Sequence, residues 1–112
     1  MPLAINVVNV DALSDNVYIF GSLTPSGSYS TGGDTLDFTT VGNQVPASLS
    51  PVQVWAGGST GDTYSWVAGA ALNNQKIKIN TASNTELASG AYPSRITGDT
   101  NIVFEAVFKK LI

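Results

Sequence analysis

The chain has 112 residues, of which 43% are hydrophobic and 12% charged, and its formal net charge is −3. It contains no cysteine and no histidine, which excludes disulfides, thiolate metal sites and every Ser-His-Asp or Cys-His nucleophile. Its basic residues, Lys76, Lys78, Arg95, Lys109 and Lys110, are too few and too dispersed for a nucleic-acid surface, which needs clustered Lys and Arg to displace counterions.

A chain of this length reads as one β domain over 1–112. Its polarity comes from neutral residues: 12 Ser, 11 Thr, 9 Asn and 11 Gly. Thr suits a pleated surface, while Gly, Asn and Ser suit turns. Period two dominates from the start. "LAINVVNV" (3–10) puts Leu3, Ile5 and Val7 on one face, as an extended N-terminal strand or arm over 1–10. "NVYIFGSLT" (16–24) carries Val17 and Ile19 on one side and Tyr18 and Phe20 on the other. Both sides are apolar, which marks a central or interface strand.

"PSGSYSTGG" (25–33) reads as a flexible or turning loop, and "DTLDFTT" (34–40) as a short strand with Leu36 and Phe38 inward. Pro46 and Pro51 make 41–51 irregular. "VQVWA" (52–56) is a strand and "GGSTG" (57–61) a turn. "DTYSWVAGA" (62–70) pairs with "QKIKINT" (75–81) across "ALNN", with Asn73 and Asn74 as a left-handed tip. Lys76 and Lys78 then share the solvent face of an amphipathic strand. The connection 82–98 holds one helical turn at "NTELAS", capped by Asn84 with Glu86 near its positive end. In "TNIVFEAVFKKLI" (100–112), Ile102, Phe104, Ala106 and Phe108 form one strand face, and Val103, Glu105 and Val107 the other. A helix would instead gather Val103, Val107 and Leu111, but β-branched and aromatic enrichment favours a strand. The expected fold is all-β, a β-sandwich or small barrel of about seven to eight short antiparallel strands.

The tripeptide Gly-Asp-Thr occurs at 33–35, 61–63 and 98–100. The copies are unevenly spaced and share nothing beyond the tripeptide, so they are no tandem repeat. Calcium takes about six to eight oxygen ligands, and "GGDTLD" offers Asp34 and Asp37 without a third acid. The copies read as strand starters: Gly at a positive φ, Asp bonded to nearby backbone, Thr opening the strand. No metal and no other cofactor is implied. No phosphate-binding glycine motif opens a helix, and two glutamates with turn-bound aspartates give no glycosidase pair. The expectation is a protein without enzymatic activity. The N-terminal sequence carries no basic leader segment, and no apolar run approaches the roughly 20 residues of a membrane helix. Trp55 and Trp66 lie on strands, and Tyr29, Tyr64 and Tyr92 at or near loops. Such aromatics serve as core, as a protein interface, or as a platform for sugar rings.

"YSTGGDTLDFTT" (29–40), "YSWVAGAALNNQKIKI" (64–79) and "ELASGAYPSRITGDTNIVFEAVFKKL" (86–111) resemble small β-proteins of tailed bacteriophages, from the head and tail structural modules. The resemblance implies a capsid decoration (cement) protein that binds the outside of an assembled head. Its partners would be the major capsid protein and further copies of itself, as a trimer. It would be made in the bacterial host cytoplasm and end on the virion surface. The alternative is a carbohydrate-binding β-sandwich module, or a tail or fibre component, using exposed aromatics. Apolar residues near both ends, Leu3, Ile5 and Val7 and then Leu111 and Ile112, suggest surface that seeks a partner. The expected contact residues are Leu3, Ile5, Val7, Tyr29 and Trp55.

Overall fold

The computed structural model describes residues 3–12, 15–41 and 50–109. These form nine strands: β1 (Leu3–Ala12), β2 (Asn16–Pro25), β3 (Ser28–Tyr29), β4 (Asp34–Leu36), β5 (Gln53–Gly57), β6 (Thr63–Val67), β7 (Gln75–Asn80), β8 (Gly90–Ala91) and β9 (Val103–Lys109). A four-stranded sheet runs β1-β2-β9-β5, a three-stranded sheet β4-β7-β6, and β3-β8 make a small ribbon. Every pairing is antiparallel. The chain is thus all-β and sandwich-like, and does not close into a barrel.

The core lies where the inner faces of the two larger sheets meet. Val17, Ile19 and Leu23 of β2, Phe104, Ala106 and Phe108 of β9, and Val54 of β5 pack in one cluster with Leu36, Ile77, Ile79 and Tyr64. Phe38 joins them from a 3-10 turn (Phe38–Val41), with its ring edge-on to Phe108 at 5.2 Å and 90°. Alternation does this: each core residue of β2 and β9 is followed by one that faces away. Gly21 is required on the inner face, because a Cβ there would lie 2.0 Å from the Asn6 carbonyl oxygen and 3.0 Å from the Phe104 ring. The absence of a side chain lets β1 close on β2 above that ring.

Several expectations need correction. The strand expected over 34–40 stops at Leu36. The Asp37 carboxylate accepts from the Thr39 N–H at 2.9 Å and from its hydroxyl at 2.5 Å, which winds the chain into the 3-10 turn. The loop 25–33 contains β3, held by β8. The helical turn falls at α1 (Ser94–Thr97) rather than at 84–89. Asn84 takes φ 66° in a turn whose N–H donates to the Thr81 carbonyl at 2.8 Å, and Glu86 bridges back to Asn80. Asn73 and Asn74 are not left-handed. That loop is organised instead by buried Gln75. Its amide nitrogen donates to the Gly69 and Ala71 carbonyls, and its amide oxygen accepts from the Trp66 indole at 2.8 Å and the Gly69 N–H. The proline-bearing segment 42–49 and the C-terminal Leu111 and Ile112 lie outside the described residues.

Candidate functional site

The outer face of the four-stranded sheet is built by the side chains that alternation turns away from the core. On β2 these are Tyr18, Phe20 and Ser22, and on β9 Val103, Glu105 and Val107, of which Val107 is buried. Register places them in rows across the strands. Asn9, Phe20, Glu105 and Trp55 form one row; Asp11, Tyr18, Val107 and Gln53 the next. Phe20 is 47%, Trp55 52% and Val103 42% exposed, while Glu105 is half-buried between the first two. With strands roughly 4.8 Å apart, the two aromatic residues stand on backbones about 10 Å apart with the carboxylate between them.

A β-bulge shapes one side of this face. Val7 pairs with Gly21 and Asn9 with Phe20, so Val8 is an extra residue in β1. Strict alternation after Val7 would send Val8 and Val10 outward and Asn9 and Asp11 inward. The bulge reverses this and brings Asn9 and Asp11 to the outer face, beside Phe20 and Tyr18. The result is a shallow groove of about 260 Å³ lined by Asn9, Asp11, Tyr18, Phe20 and Glu105. A second hollow, about 160 Å³, lies across Phe20 and includes Trp55, Val103 and Glu105.

The expected contact residues divide. Trp55 is on this face. Leu3 is fully buried, and Ile5 and Val7 pack against the core, because β1 is an edge strand whose inward side faces the second sheet. Of the strand or arm expected over 1–10, residues 3–10 are strand: they belong to the sheet, and removing them opens the core. Tyr29 is 1% exposed rather than in a free loop. Its hydroxyl donates to Glu86 at 2.7 Å and accepts from the Ile79 N–H at 3.1 Å, and its ring stands edge-on to Tyr92 at 6.0 Å. Burial pushes its pKa up to about 12. Trp66 is tied to Gln75, which leaves Trp55 as the tryptophan that is mostly in solvent. Phe20, Glu105, Asn9 and Asp11 were absent from the expected set. The two-sided apolarity of 16–24 was the available signal for Phe20; the bulge left none for Asn9 and Asp11.

Asp37, Asp62, Glu86 and Asp99 are structural ties. The three Gly-Asp-Thr aspartates are all buried, Asp34 at 1%, Asp62 at 8% and Asp99 at 9% exposure. Arg95 holds Asp62 with two hydrogen bonds, at 2.9 and 3.2 Å, and so keeps its carboxyl below the usual range. Asp99 accepts from the Ser59 hydroxyl and N–H and from the Asn101 N–H, which also lower it. These bonds clamp the β5–β6 turn to the segment around α1. Asp34 differs: one oxygen accepts from the Ser30 N–H at 3.2 Å, the other has no partner, and burial raises its pKa. Gly33 and Gly61 have positive φ, as strand starters require, but Gly98 ends α1 at φ −85° and β9 begins only at Val103. Among the described residues no three His, Cys, Asp or Glu side chains gather as a metal site, and no helix is long and apolar enough to cross a membrane.

No family model, no curated protein and no solved structure matches the chain.

Proposed function

We propose that the chain is a non-enzymatic structural protein of a virion, a decoration (cement) protein that docks on the outer surface of a tailed-phage head. The observation that carries the reading is the outer face of the β1-β2-β9-β5 sheet. Phe20, Trp55 and Val103 stand about half exposed there, on strands whose other side is the core. A contiguous apolar patch on a folded domain marks a contact site. The virion setting comes from the likeness of 29–40, 64–79 and 86–111 to phage β-proteins. In that setting the partners are the major capsid protein and further copies of this chain, as a trimer, and the protein needs no cofactor.

A second reading has its own observation: Phe20 and Trp55 flank a carboxylate on one flat face, an arrangement that also suits a sugar ring. A carbohydrate-binding module, or a tail or fibre component, would use it so. One experiment separates the two. Heads are purified on a density gradient from cells making the chain, and its copies per particle are counted by mass spectrometry. Decoration expects many copies on each head, lost on replacing Phe20 and Trp55 by Ser. A chain that stays free of heads, with glycan-array binding that vanishes in Trp55→Ala at an unchanged melting point, assigns the face to saccharide.

A further inference from the structure

We infer that the groove beside Phe20 receives a basic side chain, above all an arginine guanidinium, from the protein that covers this face. The inference rests on the docking reading and specifies the chemistry of the partner. Its first ground is the make-up of the groove. Two walls are aromatic, Tyr18 and Phe20, and the polar groups are Asn9, Asp11 and Glu105. Carboxylates only accept hydrogen bonds, and a guanidinium only donates them, five in one plane. The same plane stacks on aromatic faces, where the ring quadrupole attracts the cation.

The second ground is the missing counter-charge. Among the described residues, Asp11 and Glu105 have neither a hydrogen bond from a side chain nor an ion pair. Arg95 is committed to Asp62. Lys76 and Lys78 lie on β7, in the other sheet. Lys109 is four residues beyond Glu105 on β9, about 13 Å along the strand. Among the described residues Glu105 therefore sits half-buried between Phe20 and Trp55 without a cation, and Lys110 lies outside them. Covering this face with an apolar surface would strand its charge, which is costly unless the partner brings an opposite one.

The third ground is the bulge. A regular β1 would line the groove with Val8 and Val10. The extra residue exchanges them for Asn9 and Asp11, so the irregularity adds an amide and an anion beside the rings. A neutral sugar can donate hydroxyls to the two carboxylates but brings no charge to offset theirs. It also presents hydroxyls that both donate and accept, against a groove in which the Asn9 amide and the Tyr18 hydroxyl are the side-chain donors.

The test uses the full chain labelled with 15N at low ionic strength. It is titrated with N-acetyl-arginine amide, with N-acetyl-citrulline amide, which has the same shape without the charge, and with maltose. The expected result is saturable shifts at Tyr18, Phe20 and Glu105 with the arginine compound. Citrulline should bind at least about tenfold more weakly, as loss of a charge-assisted hydrogen bond implies. Glu105→Gln and Asp11→Asn should each weaken the arginine response at an unchanged melting point, and added salt should weaken it too. Equal responses to arginine and citrulline, shifts confined to other residues, or saturation of the groove by maltose would overturn the inference. Gradient-purified heads keep the two readings apart. A chain bound to heads whose groove ignores arginine retains the docking function and loses this inference. A chain absent from heads whose groove still takes arginine loses the decoration role and keeps the groove assignment.

Discussion

The two faces of the β1-β2-β9-β5 sheet carry similar side chains and meet different fates. Inward, Val17, Ile19, Phe104 and Phe108 are fully or almost fully buried; outward, on the same strands and on β5, Phe20, Val103 and Trp55 are about half exposed. Among the described residues one second layer, the β4-β7-β6 sheet, packs on this sheet, and it covers the inner side. A central strand that is apolar on both sides normally lies between two layers. Among the described residues no second layer lies over Phe20, Val103 and Trp55, and that difference is what motivates the proposed docking role.

The comparison can be broken most forcefully from the inside. Phe108→Ala removes a ring packed edge-on to Phe38 and should cost about 3–5 kcal/mol, read as a lowered urea midpoint. Gly21→Val should also destabilise strongly, because its Cβ would collide with the Asn6 backbone. Next in size is Gln75→Leu. It leaves the Trp66 indole and the Gly69 N–H unpaired in a partly buried site and should cost about 1–3 kcal/mol.

A smaller effect contrasts two copies of one tripeptide. The pKa of Asp62 is lowered by Arg95, so its contribution is present above the ordinary value of 3.8 and is lost as pH falls through the folded value. The pKa of Asp34 is raised by burial, so its contribution is full below 3.8 and is lost as pH rises through the folded value. Asp62→Asn should therefore melt below the parent at pH 7, with the gap closing in acid. Asp34→Asn should melt above it at pH 7, with that gap also closing in acid. Melting curves from about pH 7 down to pH 3 check both signs. The smallest effect is expected outside: Phe20→Ser and Trp55→Ser should each change stability by less than about 0.5 kcal/mol, as surface positions do.

Strands were legible wherever side-chain alternation alone defines them. β1, β2, β5 and β7 lie within a residue or two of the segments that period two marks out, while β6 stops three residues before the end of 62–70 and β9 begins three residues after the start of 100–112. What stayed hidden depends on groups far apart in the chain. Glu86 was expected in a helical turn, yet its carboxylate is engaged by the Tyr29 hydroxyl and the Gly32 N–H, more than 50 residues away. Asp62 and Asp99 look like local turn residues until Arg95 and Ser59 reach them. Half of the candidate site could be read in advance, since Tyr18 and Phe20 oppose Val17 and Ile19 in any strand over 16–24. The other half depends on strand order, which sets Trp55 beside Glu105, and on one extra residue at Val8. Neither leaves a mark in the local pattern.

The most direct test pairs stability with attachment in one double variant, Phe20→Ser with Trp55→Ser. Heads formed in its presence are banded on a gradient, and bound chain is counted beside its melting midpoint. Docking through this face predicts an unchanged midpoint and heads without the chain. Full occupancy of the heads at an unchanged midpoint would contradict it, because the exposed face would then be irrelevant to docking.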